Sequence, residues 1–231
     1  QVGRHNESTR ALRRLVAGYP QSELYAESLF RLAETAFSAQ EYDRAESLYT
    51  RVIDTPDNDI YHEKAVFKRG WSKFKQQRYI DAVNDLLGAI EQHGFASVEE
   101  LEKAERELFE EYFRAVSLSF SYTGGPQAMD RYFDKRPDYS WTWHTYAMMS
   151  DIYLKQQRYS DAAAAIHQYI TSYPDASEIP YAHLKLIDIW RQSRFTQKLY
   201  AAVEDFYHTY NPESEYWRNQ NEDSSVNRSI R

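Results

Sequence analysis

Seven histidines, at positions 5, 62, 93, 144, 167, 183 and 208, are the side chains of this chain best suited to hold a metal or to pass a proton near neutral pH. No two of them lie closer than 16 residues, so none has the i,i+4 spacing that places two imidazoles on one helical face. His208 with Glu204 and Asp205 is a local grouping that could be assembled into a weak site, although an exposed i,i−4 pair is its commoner meaning. Cysteine is absent, which removes thiolate nucleophiles, thiolate zinc sites and disulfides. No Gly-x-Ser-x-Gly elbow, phosphate loop or dinucleotide fingerprint occurs, and the glycine pair Gly124-Gly125 before Pro126 reads as a turn. The carboxylates Glu99, Glu100, Glu102, Glu105, Glu107, Glu110 and Glu111 are interleaved with Lys103 and Arg106, as on a solvated helix face. The residues therefore predict no enzyme, cofactor or metal, with catalysis from distant residues left as an alternative.

What must position these side chains is a helical framework. Only 7 Gly and 7 Pro occur among 231 residues, which argues against turn-rich sandwiches and barrels, while 20 Tyr, 11 Phe and 5 Trp supply apolar area for a core. The net charge of −7 comes without a basic block to follow a phosphate backbone, so nucleic acid is not an expected ligand. The longest conspicuously uncharged run, Tyr139 to Ser150, spans 12 residues, too few for a transmembrane segment. Gln1-Val2-Gly3-Arg4 does not read as a leader, which fits either a cytoplasmic protein or a chain that follows a removed leader or an upstream region.

Internal repetition is the strongest signal. Lys75-Gln76-Gln77-Arg78-Tyr79-Ile80-Asp81-Ala82 returns with a single difference as Lys155-Gln156-Gln157-Arg158-Tyr159-Ser160-Asp161-Ala162, 80 residues on. Related segments start at Ala39, 37 residues before Gln76, and at Arg194, 36 residues after Arg158, with Phe195 in the tyrosine place. The gap of 80 requires a degenerate copy, which Gly124 to Asp130 provides. A period near 37 marks stacked helix pairs, each burying its apolar face against its neighbours. Small residues Ala33 and Gly70 lie twelve before Ala45 and Ala82, letting paired helices cross closely with a Tyr between them. First helices are expected near 22–39, 59–76, 98–122, 140–157 and 178–193. Second helices are expected near 6–17, 41–53, 79–92, 126–135, 159–171 and 195–210. Tyr19-Pro20, Tyr173-Pro174 and Tyr210-Asn211-Pro212 close several units, since proline cannot continue a helix.

The small-x-x-aromatic pattern, the Tyr-x-x-Ala opening and the closing Pro resemble the tetratricopeptide repeat. That resemblance implies an all-α, right-handed α-solenoid of about five helix pairs over residues 1–210, irregular near 98–136. Residues 211–231, Asn219 to Ser225 included, form a polar C-terminal segment or the start of a following repeat. Lys198, where the second-helix Ala is expected, implies looser packing of the last pair. The array opens with a second helix, so the chain is expected to be part of a longer array or to carry a cap in residues 1–20. Tyr19 to Glu34 resembles repeats of bacterial envelope proteins, among them the lipoprotein of the barrel-assembly machine. Ala65-x-Phe67-Lys68-x-Gly70-Trp71 and Tyr210 to Trp217 resemble long multi-repeat envelope proteins, some linked to surface motility. These likenesses imply the periplasm or the periplasmic face of the outer membrane, within a membrane-associated complex, the cytoplasm staying open.

In this repeat the first helices line the concave wall. Phe30, Glu34, Phe37, Lys64, Phe67, Lys68, Trp71, Phe74 and Lys75 are expected on or beside it, continued by His144, Asp151 and Lys155, with Trp190 and Arg191 at its far end. Aromatics beside lysines suit an extended protein or peptide partner with apolar anchors and acidic character. Packing between neighbouring units is the competing meaning for each aromatic. The clamp for acidic chaperone tails is disfavoured, because Phe30, Glu34, Phe67 and Trp71 stand where that resemblance would require Lys and Asn. A second surface, Tyr122 to His144 with Trp141 and Trp143, reads either as a packed hinge or as a docking patch. The expected function is a non-enzymatic protein-binding scaffold. A structural or oligomerising segment is the alternative, and a binding module associated with envelope polysaccharide is a minor one.

Overall fold

A computed structural model describes residues 2–56, 59–94, 98, 101–136 and 139–219. Among them lie twelve helices and no strand: α1 (Val2–Gly18), α2 (Tyr25–Ser38), α3 (Tyr42–Ile53), α4 (Asp59–Lys75), α5 (Tyr79–His93), α6 (Lys103–Ser121), α7 (Pro126–Phe133), α8 (Thr142–Lys155), α9 (Tyr159–Ser172), α10 (Ile179–Gln192), α11 (Thr196–Tyr210) and α12 (Glu215–Asn219). The chain divides into two compact units, Gln1–Thr123 and Gly124–Arg231. In the first, α1 to α6 each pack on the next helix, and the first-type helices also meet, α2 on α4 and α4 on α6. In the second, α8 to α12 pack in the same sequential order, with α7 laid on α9.

The turn inside a pair explains why the repeat is so visible. Gln40, Gln77 and Gln157 are left-handed, with φ of 62°, 63° and 59°. Each lets the next amide reach back into the helix that has ended: Glu41 N donates to Ala36 O at 2.9 Å, Arg78 N to Lys73 O at 3.0 Å and Arg158 N to Tyr153 O at 2.9 Å. Helices commonly stop this way, with glycine as the usual left-handed residue; a side chain there costs about 1 kcal/mol. Gly124 and Gly125, with φ of 117° and 64°, make the expected turn before Pro126.

Closure within each pair depends on the small residues. Ala33 and Ala45 are fully buried, as is Ala82 opposite Gly70. A Cβ on Gly70 would stand 3.0 Å from Leu86 Cγ, so a side chain at this point of the α4–α5 crossing requires Leu86 to give way. Ser150, twelve before Ala162, occupies the same place in α8 and is also fully buried. Burial pushes the Tyr49, Tyr112 and Tyr146 hydroxyls above their ordinary range, Tyr49 further through its bond to Glu34.

Expected and observed helices agree within a few residues, with instructive differences at α6 and α12. The first starts at Lys103 rather than near 98 because Glu102 caps it, its own amide donating to Glu105 Oε2 at 3.2 Å. Glu102, Glu105, Glu107, Glu110 and Glu111 are exposed, whereas Glu99 and Glu100 lie outside the described residues. The second, α12, is a short helix inside the segment expected to be polar, anchored by Trp217 Nε1 donating to Tyr210 O at 3.0 Å. Residues 220–231 lie outside the described residues.

Candidate functional site

In the first unit the expected wall is built from α2 and α4. Glu34 on α2 accepts the Tyr49 hydroxyl from α3 and pairs with Lys68 Nζ from α4 at 3.0 Å. Lys68 in turn stands 5.4 Å from the centre of the Phe37 ring. Phe30 packs edge-on against Tyr49 at 5.8 Å and lies 5.3 Å from Tyr61, whose ring also has the exposed Lys64 ammonium 6.0 Å from its centre. Further along α4, Phe67, Trp71 and Phe74 form an edge-to-face ladder with spacings of 6.3 and 5.2 Å. Its two ends are committed to packing. Phe67 lies 4.7 Å from Tyr112 of α6, and Phe74 meets Tyr79 at 5.3 Å and Tyr122 at 5.7 Å. Trp71 between them is half-buried, and Lys75 beyond it is exposed. The result is an aromatic and lysine-bearing strip suited to apolar anchors and carboxylates.

The second unit places its expected residues differently. Trp141 is 4% exposed, stacked on Tyr139 at 4.5 Å and packed against Phe133 at 6.0 Å, which leaves little of it for a partner. Trp143 and His144 are half-buried, with Trp143 5.0 Å from Tyr169. Asp151 pairs with Lys185 at 2.7 Å, and the exposed Arg191 pairs with Asp188 at 2.7 Å. Trp190 is 6% exposed, beneath Lys198 at 4.5 Å and against Phe195 at 6.0 Å. Lys198 therefore lies outward over the aromatic pair instead of closing it, and a cleft of 380 Å³ opens there between α9, α10 and α11, lined by His167, His183 and four alanines. Burial lowers the pKa of both imidazoles, opposed by Asp205. His208 and Glu204 are 3.9 Å apart and exposed, and no group of three metal-ligating side chains occurs among the described residues.

Aligning the repeats shows what the sequence reading missed. Phe37, Phe74 and Trp190 occupy one place, five residues before Tyr42, Tyr79 and Phe195, and each meets that aromatic edge-on at 5.4, 5.3 and 6.0 Å. They are plugs of the turn as much as parts of a wall. Glu34, Trp71 and Asp151 likewise share a place, as do Lys64 and His144, so one position carries different chemistry in successive pairs. Asp85 was missed altogether. Its carboxylate is 8% exposed, held bidentately by Arg69 at 2.8 Å and 2.8 Å and by Lys73 at 2.8 Å. These charges are spaced at helical intervals within the apolar pattern of α4 and α5, a signal visible once the two helices are known to pair.

Known proteins supply the family. The tetratricopeptide repeat profile matches residues 1–60 and 148–205, just over half of the chain. Solved structures with a similar course include BtubC from P. vanneervenii, 14% identical over 89% of this chain and 88% of that one, with a TM-score of 0.42. PilF of Pseudomonas aeruginosa is 16% identical over 93% and 90% at 0.42, and the yeast Sti1 TPR2AB domain in complex with pHSP90 is 13% identical over 80% and 78% at 0.37. All three scores are below 0.5 and add nothing to the assignment, and no curated protein matches the chain. With its family profile and its stacked helix pairs taken together, the chain belongs to the tetratricopeptide repeat family.

Proposed function

We propose that the protein is a scaffold of a bacterial envelope assembly, whose first unit holds an extended peptide, apolar and acidic, along α2 and α4. Repeats of this family are typically protein-binding modules without catalysis of their own, and stacked first helices present an extended surface for such a ligand. The observation that carries the reading is half-buried Trp71, set between Phe67 and Phe74 one helical turn before the exposed Lys75. The envelope setting rests on the likeness of Tyr19 to Glu34 and Tyr210 to Trp217 to envelope repeats. Photo-crosslinking from position 71 in the native host, followed by mass spectrometry, tests both parts. An envelope protein should be captured and then lost on Lys75→Glu; capture of cytoplasmic proteins alone refutes the setting, and no capture refutes the groove.

A second reading, an oligomerising segment, is favoured by α11. Tyr200, Val203 and Tyr207 lie on one stripe and are 68%, 45% and 65% exposed. Sedimentation of the chain separates the two, since a monomer at high micromolar concentration removes the oligomerising role.

A further inference from the structure

The two units fill corresponding space in opposite ways. Adding 117 to a residue number carries the bounds of α2 and α5 onto those of α8 and α11 residue for residue, and the last residue of α4 onto that of α10. In the first unit the space beside α3, α4 and α5 holds paired charges. Arg78 donates to both Glu46 oxygens at 2.9 and 2.8 Å, and Arg69 donates to both Asp85 oxygens at 2.8 Å. The same shift turns Glu46, Arg69 and Asp85 into Ala163, Leu186 and Ala202, and all three line the 380 Å³ cleft between α9, α10 and α11. Short apolar side chains in place of long paired ones leave the opening.

This cleft is polar at both ends and apolar in the middle. Along its wall α11 contributes Lys198, then Ala201 and Ala202, then Asp205, at steps of one helical turn, so the two charges lie about 10 Å apart along the helix axis. At one end Lys198 stands 4.5 Å from the Trp190 ring centre, forms no ion pair among the described residues and is the only lysine or arginine of the described lining. His167, His183 and Asp205 gather at the other end, close enough to act on one another electrostatically. Burial lowers the pKa of both imidazoles, so at neutral pH they offer ring nitrogens rather than cations. His183 Nδ1 is committed to the Tyr210 hydroxyl at 2.7 Å, whereas the His167 ring and the Asp205 carboxylate have no hydrogen-bond partner among the described residues. The three side chains do not make a metal-ligand set. What they present is unused hydrogen-bond acceptors.

We propose that this cleft binds a small aromatic carboxylate that carries a hydroxyl at the far end of its ring. The carboxylate meets Lys198, the ring lies on the alanines and Leu186, and the hydroxyl donates to Asp205 beside His167. A cavity of this size, with an apolar lining and a few convergent polar groups, is how small-molecule sites are built. The separation of the two charges sets the ligand's length, and their signs set its direction. The site lies in the second unit and does not depend on the reading of the α2–α4 strip.

The test follows the amide NMR signals of the whole chain at neutral pH during titration with 3-(4-hydroxyphenyl)propanoate, 3-phenylpropanoate and tyramine. Saturable shifts at Ala163, Ala201 and Ala202 are expected. The hydroxylated acid should bind roughly fivefold more tightly than either of the others, which lack the hydroxyl and the carboxylate respectively. Asp205→Ala should remove most of the preference over 3-phenylpropanoate. Lys198→Gln, at an exposed position, should weaken both acids roughly fivefold and leave tyramine unchanged. Ala202→Leu fills the cleft and should abolish binding of all three, with the melting temperature reporting whether the variant folds. The absence of saturable shifts, equal binding of the three probes, or undiminished binding of the acids to Lys198→Gln would each overturn the proposal.

Discussion

The α4–α5 pair and the α8–α9 pair carry nearly the same turn octapeptide, and their interiors are nonetheless built on different chemistry. Shifting by 80 residues, Arg69, Lys73 and Asp85 become Met149, Tyr153 and Ala165. The first pair thus holds a partly buried ion triad, its side chains 21%, 14% and 8% exposed, where the second buries Met149, Tyr153 and Ala165, all 3% exposed or less. The crossing points contrast too, a glycine tight against Leu86 in α4 and a serine in α8. Identical turns therefore require neither identical cores nor identical surfaces. The turn is set by backbone geometry, and side chains beyond it are free to differ as long as each pair closes.

Four measurements would break or sharpen this contrast. Asp85→Ala leaves Arg69 and Lys73 facing each other, partly solvated and without their shared anion, and should cost about 2 kcal/mol of urea-unfolding stability. Replacing the triad with Met, Tyr and Ala, as in α8–α9, should recover most of that loss; a triple variant no better than Asp85→Ala would show that the two interiors are not interchangeable. Gly70→Val forces a branched side chain against Leu86 and should cost about 2 kcal/mol, seen as lost hydrogen-exchange protection of α4 and α5. Ser150→Ala should act in the other direction. The Ser150 hydroxyl is buried and has no hydrogen-bond partner, so removing it should raise the stability of α8 by about 1 kcal/mol in the same exchange experiment.

The smallest effect concerns pH. His183, half-buried and with Nδ1 2.7 Å from the Tyr210 hydroxyl, is held neutral by burial, with His167 adding to that effect and Asp205 opposing it. Its proton is bound less readily in the fold than in the unfolded chain, so its contribution is complete above the ordinary value of 6.5 and is lost as pH falls through the lowered folded value. Exchange protection of α10 should decline as pH falls below the ordinary value of 6.5, and His183→Gln should flatten that decline. An unchanged slope in the variant would assign it to other groups.

Much of the helical framework was legible because the repeat announces itself through residues that cannot easily be otherwise. A left-handed Gln followed two residues later by Tyr, and a small residue twelve before an Ala, are backbone requirements written in side chains. The wall was legible only in part. Periodicity places Phe37, Phe74 and Trp190 on a first helix, but which neighbour each ring meets depends on the next turn, and all three meet the plug aromatic. Trp141 shows the same limit: an aromatic at an irregular turn looks available in sequence and is buried against Tyr139 and Phe133 in space. The cleft between α9, α10 and α11 was illegible because its lining comes from three helices, Ser160 and Asp205 being 45 residues apart.

The Asp85 triad has a consequence for how the chain chooses among its own copies. With almost the same octapeptide leading into α5 and α9, α4 meets two candidates during folding that present the same Tyr-x-x-Ala entrance. Accepting α9 would set Arg69 and Lys73 against Ala165, a mismatch of several kcal/mol, whereas α5 brings the aspartate that both cations require. The partly buried charges thus serve as an address label, telling near-duplicate segments of one polypeptide apart and guarding it against exchange of helices among its own repeats.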